Sequence, residues 1–242
     1  MGLAHLSCLV RQAEMAVKEK EEWNTGEGMR KWDACFDCGQ DFHGAVNLAL
    51  GWACWKTYVG RPHTDGVRGA AMGILGDSLR GSRPEEALPV LEASLALVRR
   101  YWWRDERYLL TAQASLGSCL TSLARHDEAL VLKREVYAKW LAKLGVSHEN
   151  TIINGLNLAA SLIQSHRWDE VKPFLRDQLL PIARRSLGAD DDTTLKLSQN
   201  LVVALRYDPE CTRDDLRLNR RGVDATHFRP ARPVPTRARH RR

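Results

Sequence analysis

The chain has 242 residues, and its 44% apolar content is enough for a hydrophobic core, which excludes a wholly disordered protein. The formal charge of +6 is unevenly placed: residues 217–242 contribute +8 and residues 1–216 therefore sum to −2, which assigns any attraction to nucleic acid to the tail. Without a secretory signal or a bilayer-length apolar run, we expect an intracellular protein, cytoplasmic or nuclear, with no membrane partner and with its six cysteines outside disulfides.

The first 44 residues carry cysteines and histidines at spacings that indicate metal binding. His5 and Cys8 precede a segment whose apolar residues fall on one helical face, which predicts a helix over 9–20. Cys35 and Cys38 form a Cys-x-x-Cys pair, which brings two thiolates onto one metal because backbone amides in the turn offset their charge. One such pair is half of a tetrahedral zinc site.

The order His-x-x-Cys, helix, Cys-x-x-Cys resembles the second half of the RING-CH zinc finger, a ubiquitin-ligase module whose eight ligands bind two zinc ions. The resemblance implies that His5 and Cys8 are the fifth and sixth ligands and that Cys35 and Cys38 are the last two. It also implies a ubiquitin-conjugating enzyme as a partner. The first four ligands have no counterpart, which leaves each zinc ion two ligands short. Gln12 replaces a tryptophan of the family, and the 26 residues between Cys8 and Cys35 exceed its usual spacing.

Three interpretations of these residues stay open at this point. One is a partial RING-CH remnant, and another is a single rearranged zinc site of the same four side chains, with His43 as a spare ligand. The third has no metal and treats Cys8 and Cys54 as core thiols. Four ligand atoms within about 2.0 to 2.4 Å of one point would identify a zinc site.

Residues 45–60 predict a buried helix that connects the cysteine segment to the rest of the chain. Its apolar residues lie almost all round the helix, and Gly60 ends it. We interpret Trp52 and Trp55 as packing residues. The run from the cysteine pair to Gly60 resembles the junction in proteins that couple a RING-CH finger to helical repeats.

Two stretches, 106–145 and 149–188, are versions of one pattern, with Leu116 and Asp127 recurring as Leu158 and Asp169 at an offset of 42. A fixed offset of this size indicates stacked helical hairpins, because one hairpin alone cannot bury its apolar face. The pattern predicts helices near 65–80, 84–101, 106–124, 127–144, 149–166, 168–187 and 192–206, with a weak further partner from residue 212.

Small residues in the first helix of each hairpin have a predicted packing role. We expect Gly76, Gly117 and Ala159 to let the second helix approach closely. The Leu-Gly pair that ends at Gly145 predicts a helix stop, and Thr151 predicts the start of the next helix.

This pattern resembles the tetratricopeptide repeat (TPR) in its longer kinesin-light-chain form, over roughly residues 65–216. The resemblance implies a scaffold that binds a protein or peptide partner on the concave surface of the first helices. Polar residues expected to line that surface are Gln113, Asn154, Asn157 and Gln199.

The tail at 217–242 has nine arginines and three prolines without a helical or strand period, so we expect it to be disordered. Its arginines could neutralise phosphates, although we do not expect nucleic acid to be the main partner.

The sequence therefore predicts an all-α fold of TPR-like helical-hairpin repeats, an α-solenoid, preceded by a small partial zinc-finger-like segment. The expected organisation is a zinc-binding segment at 1–44, a connecting helix at 45–60, a repeat domain at 61–216 and the tail. No phosphate-binding glycine loop or hydrolase motif occurs in the sequence. We interpret the protein as an interaction scaffold, with a RING-CH ubiquitin ligase and a nucleic-acid-associated protein as alternatives.

Overall fold

The computed structural model describes residues 5–20, 25–102 and 106–211 of the chain. Among these residues there is no strand, only an isolated antiparallel bridge between Ala34 and Asp41. The helices are α1 (Leu6–Lys20), α2 (Thr25–Met29), a 3-10 turn (Arg30–Trp32), α3 (Gly44–Tyr58), α4 (Gly66–Arg80), α5 (Pro84–Tyr101), α6 (Glu106–Ser122), α7 (His126–Leu144), α8 (Glu149–Gln164), α9 (Trp168–Pro173), a π-helix (Phe174–Leu179), α10 (Leu180–Ser186) and α11 (Asp192–Tyr207). Every helix predicted between residues 65 and 206 is present, with ends within two residues of the expected positions.

The helices from α3 onward pack successively, each against the next along the chain. We call α4, α6, α8 and α11 the first helices and α5, α7 and the α9–α10 run the second helices, because each of the latter returns against the former. The first helices also contact one another, as α4 with α6, α6 with α8 and α8 with α11. The architecture is an α-solenoid of stacked hairpins, and the expected fold class is confirmed.

Close approach within the hairpins depends on small residues. A Cβ on Gly76 would lie 2.5 Å from a methyl carbon of Leu91 in α5, and a Cβ on Gly117 would lie 3.2 Å from Cγ of Lys133 in α7. Ala159 is fully buried in the third hairpin. The predicted packing role of these positions is confirmed.

Three of the first helices begin at side-chain caps. The carboxylates of Asp65 and Asp191 accept hydrogen bonds from the first backbone N–H groups of α4 and α11, and His148 Nδ1 accepts one at α8. The helix start predicted near Thr151 is confirmed, because α8 begins at Glu149, although the cap is His148 and Thr151 lies fully buried in the first turn. Gly145 has φ of +79°, so the predicted helix stop is confirmed.

The second helix of the third hairpin contains a π-helix. Pro173 ends its first part, and a proline nitrogen cannot donate to the carbonyl four residues earlier. Beyond it the N–H of Leu180 donates to the carbonyl of Leu175, five residues back. Both leucines still point into the core.

The N-terminal segment shares a hydrophobic cluster with α3 and α4. Val17 of α1 and Trp32 of the 3-10 turn are almost fully buried there, and the rings of Trp32 and Tyr58 meet edge to face at 5.9 Å. The expectation that α3 is buried all round is wrong: Val46 is 44% exposed and Trp52 is 38% exposed.

The helix α11 is the last of the four first helices in the chain. Part of its apolar surface is exposed among the described residues. Leu195 is 46% exposed, whereas Leu110 and Ile152, at the same repeat position in α6 and α8, are fully buried. The weak helix expected from residue 212 and the tail at 217–242 lie outside the described residues.

Candidate functional site

Cys35 and Cys38 lie in a tight hairpin turn. The N–H of Cys35 donates to the carbonyl of Gln40 at 2.8 Å, and the N–H of Gly39 donates to the carbonyl of Cys35 at 3.0 Å. Gly39 has φ of +70°, a conformation that favours glycine. The turn thus holds Cys35 and Cys38, which are three residues apart in the sequence, in one tight loop of backbone.

The backbone of this turn is arranged to stabilise a thiolate. The N–H groups of Cys38 and Asp37 donate to the sulfur of Cys35, and these hydrogen bonds lower the pKa of the Cys35 thiol. Cys38 is exposed, and its Sγ lies 3.9 Å from Oε1 of Gln40. Thiolates are the form in which cysteine binds metal, so the pair is a prepared set of two sulfur ligands.

The turn stands on buried residues. Trp32 is fully buried, Ala34 is 2% exposed, and the N–H of Phe42 donates to the carbonyl of Asp33. Burial, with repulsion from Asp77, raises the pKa of Asp33 to about 7. The base of the turn is therefore fixed by the core, while its tip is open.

The other predicted ligands lie apart from the turn. His5 and Cys8 are exposed at the start of α1, where the N–H of Cys8 donates to the carbonyl of His5 at 2.9 Å, and His43 precedes α3. Within the described ranges no three His, Cys, Asp or Glu side chains converge on a point that could hold a metal. The structure thus brings together two of the four predicted ligands, Cys35 and Cys38, and the four-ligand zinc site stays a prediction.

The remaining cysteines separate by burial. Cys54 and Cys119 are fully buried, Cys119 donates to the carbonyl of Pro84, and burial raises the pKa of both thiols. They are core residues. The interpretation that Cys8 is also a core thiol is wrong, because Cys8 is exposed.

The first helices present a polar face turned away from the second helices. We call this the inter-repeat face. On α6 and α8 it consists of exposed or half-buried residues, namely Tyr108, Thr111, Ser115, Ser118, Asn150, Asn154 and Asn157, of which Tyr108 and Asn150, and Ser115 and Asn157, are related by the repeat offset of 42. Asn154 and Asn157 are half-buried on α8, and the Asn154 amide donates to the carbonyl of Asn150.

Hydrogen bonds join adjacent first helices beneath this face. Ser115 Oγ of α6 donates to Oδ2 of Asp77 in α4 at 2.8 Å, and Arg80 approaches the same carboxylate at 3.6 Å. Burial raises the pKa of Asp77. One hairpin is thereby connected to the next by a polar contact as well as by apolar packing.

Lys133 makes the corresponding connection between α6 and α8. This lysine of α7 is 6% exposed, and its Nζ donates to the hydroxyls of Thr121 and Ser161, each at 2.9 Å. Burial, with repulsion from Arg80, lowers the pKa of Lys133 to about 8. The sequence does contain a signal for this residue, since Lys133 falls four positions after buried Ala129 on the apolar side of α7.

Gln113 does not line the inter-repeat face, and that prediction is wrong. Its side chain is 3% exposed, and its Oε1 is buried without a hydrogen-bond partner among the described residues. Gln113 occupies the repeat position of Gly155, where a Cβ would lie 2.7 Å from a methyl carbon of Leu179 in the second helix. The position therefore belongs to the seam between the helices of one hairpin. Gln199 is exposed on α11.

A cavity of about 340 Å³ lies between the second helices. Leu158 and Leu162 of α8 line it, as do Tyr137 and Phe174, whose rings meet edge to face at 5.4 Å. The π-helix supplies Phe174 and Gln178 to the lining of this cavity.

Two solved structures are similar to this chain over most of its length. The crystal structure of nearly identical kinesin light chain TPR-like repeats from Podosopora anserina matches with a TM-score of 0.58 at 16% identity, covering 89% of this chain and 93% of that chain. This chain has the fold of TPR-like helical repeats. A point variant of the same protein gives a TM-score of 0.57 at 18% identity, covering 90% of this chain and 93% of that chain.

These likenesses confirm the TPR-like part of the resemblance at the level of the fold. No family model and no curated protein matches the sequence. The comparisons give no support to the RING-CH resemblance of the first 44 residues, which stays a prediction. None of the described helices has an apolar stretch long enough to cross a membrane.

Proposed function

We propose that this protein is a scaffold that binds a peptide or protein on the inter-repeat face. The observation that carries the proposal is the presence of exposed and half-buried hydroxyl and amide side chains on adjacent first helices, with Tyr108 and Asn150, and Ser115 and Asn157, at equivalent repeat positions. Repeats that stack in this way present an extended surface on which several units contact one ligand. The side chains there suit a partner that offers backbone and side-chain hydrogen-bonding groups.

The test is a selection from a random peptide library against the full chain, followed by affinity measurements on matched variants. Thr111→Arg and Asn150→Arg place long cations on the inter-repeat face of α6 and α8, at residues that are exposed. Val131→Arg changes α7 at a residue that is 70% exposed and lies off this face.

We expect the two face variants to weaken binding of selected peptides at least tenfold and the control to leave it unchanged. Equal binding by all three variants would place the ligand elsewhere, and a library that yields no binder would end the proposal.

We further propose that zinc binds near the N-terminus, with the Cys35 and Cys38 turn as its base and His5 and Cys8 as the other predicted ligands. The prepared thiolate environment of the turn supports this proposal. Zinc would supply structural cross-linking of these side chains. Retention of zinc by purified protein, and its loss in Cys38→Ser, would test it. A ligase function would in addition require binding to a ubiquitin-conjugating enzyme, which the same preparation can be assayed for.

A further inference from the structure

The cysteine turn offers two sulfur ligands, half of the number that a structural zinc ion takes. Structural zinc takes four ligands in a tetrahedron. Cys35 and Cys38 are two, and no third candidate ligand converges with them among residues 5–20, 25–102 and 106–211. Two of the four coordination positions of a zinc ion bound by this turn would therefore be left unfilled by the described residues.

The chain's other thiols are poorly placed to fill it. The sequence has six cysteines, and two of them, Cys54 and Cys119, are fully buried in the core. Cys211 packs against the hydrophobic cluster of the last hairpins, far along the solenoid from the turn. Cys8 is the remaining exposed thiol, and it lies apart from the turn on the first residues of α1.

The tip of the turn is accessible to another molecule. The five residues 36–40 are all exposed, and Phe36 is 53% exposed, with Nζ of Lys31 lying 4.6 Å from the centre of its ring. Of the nearby charged side chains, Arg30 and Lys31 are opposed by Asp33, Asp37 and Asp41. The zinc ion would offset part of the repulsion between two such turns, and their contact would cover both phenylalanine rings.

We propose that two copies of this chain meet turn to turn and share one zinc ion, each copy contributing Cys35 and Cys38. A two-fold axis through the metal makes the two halves equivalent, as an isologous contact requires. Each thiol that is still protonated releases its proton to solvent as its sulfur bonds to zinc, and no oxidation or reduction occurs. The inference rests on the proposed binding of zinc by the Cys35 and Cys38 turn, replaces His5 and Cys8 by a second copy of the turn, and is independent of the inter-repeat face.

The experiment titrates the full chain with zinc chloride and measures molar mass by light scattering after gel filtration. We expect saturation at one zinc per two chains, with the mass doubling from 27.4 kDa and returning on addition of a chelator. Cobalt in place of zinc should give the absorption spectrum of tetrahedral coordination by four sulfurs.

Matched variants separate the shared site from a site within one chain. Cys38→Ser should abolish both zinc binding and the mass change, whereas Cys8→Ser and His5→Ala should leave both intact. All three residues are exposed, so helicity by circular dichroism should be unchanged.

The other possible outcomes test both zinc proposals. One zinc per chain, at unchanged mass and dependent on Cys8, would overturn the shared site and uphold zinc binding within one chain. Failure to bind zinc would overturn both, and a dimer that forms equally with and without zinc would overturn the shared site.

Discussion

Replacing Lys133 with methionine should change how the stability of this protein depends on pH. In the fold the ammonium group is buried and its two hydrogen-bond acceptors are neutral hydroxyls, so the charged form is disfavoured and the pKa falls from 10.5 to about 8. Between these values the unfolded chain binds more protons at this residue than the folded chain does. The free energy of unfolding therefore rises with pH through this window.

The size of the effect follows from the lowered pKa. A tenfold change in proton affinity corresponds to about 1.4 kcal/mol. Between pH 7 and pH 10 the lysine should therefore contribute about 2 to 3 kcal/mol of additional stability to the wild-type protein. A methionine side chain has no proton to lose, so Lys133→Met should lack this contribution.

The assay is urea unfolding followed by circular dichroism at several pH values from 7 to 10. Cysteine and tyrosine side chains titrate in this range too, but they do so in both proteins and cancel from the difference in unfolding free energy. Lys143→Met changes an exposed lysine of the same helix and serves as the control. A difference between wild type and Lys133→Met that stays constant within about 0.5 kcal/mol across this range would refute the assignment of a lowered pKa to Lys133.

Four further substitutions test other parts of the structure by the same unfolding assay. Asp33→Asn should stabilise the protein at pH 8 by up to roughly 4 kcal/mol and have little effect near pH 4, because a raised pKa costs stability as pH rises from 3.8 past about 7; an equal effect at both pH values would contradict this. Gly28→Ala should cost about 1 to 3 kcal/mol, since its Cβ would lie 2.9 Å from the Ala16 carbonyl oxygen, whereas Gly73→Ala, with nothing within 4 Å, should be neutral or stabilising. Gly145→Ala should cost about 1 to 3 kcal/mol because of its φ of +79°, and a neutral result would show that the helix end can rearrange.

Most of the fold could be predicted from the repeat pattern in the sequence. An offset of 42 between equivalent residues located every helix of the hairpins, and the small residues at Gly76 and Gly117 indicated which sides of the first helices lie against the second helices. These features are local or periodic, so they can be read without knowing the three-dimensional contacts. Thr151 shows the limit of such local reading: a threonine near a helix start resembles a cap, but here its hydroxyl lies 3.3 Å from the carbonyl of Trp140 inside the core.

The polar residues were harder to place than the apolar ones. Gln113 and Asn157 both appear on first helices as polar residues, yet Gln113 is buried in a hairpin seam and Asn157 is half-buried on the inter-repeat face. Adding the repeat offset to Gln113 gives Gly155, a position that lies between the two helices of one hairpin. Comparison of these two positions would have placed Gln113 in the same seam. Lys133 was missed because composition treats lysine as a surface residue, whereas its burial depends on hydroxyls contributed by two other helices.

For the candidate zinc ligands, too, local contacts could be predicted from the sequence and distant contacts could not. The turn that holds Cys35 and Cys38 spans a few residues, and its spacing was enough to predict that the two thiols lie together. The joining of His5 and Cys8 to that pair is a contact between segments some 26 residues apart, which spacing alone does not determine.

Burial at a given repeat position is set by the neighbouring helix as much as by the residue itself. Leu110, Ile152 and Leu195 are large aliphatic side chains at one position of the repeat, and the first two are fully buried while the third is 46% exposed. The difference lies in the second helices, because α7 and the α9–α10 run cover α6 and α8, while no described helix follows α11. Exposure of about half a leucine side chain forgoes roughly 1 kcal/mol of apolar burial. In a stacked hairpin array, the apolar side of a first helix is therefore exposed where no second helix covers it. Among the described residues, Leu195 of α11 is in this position.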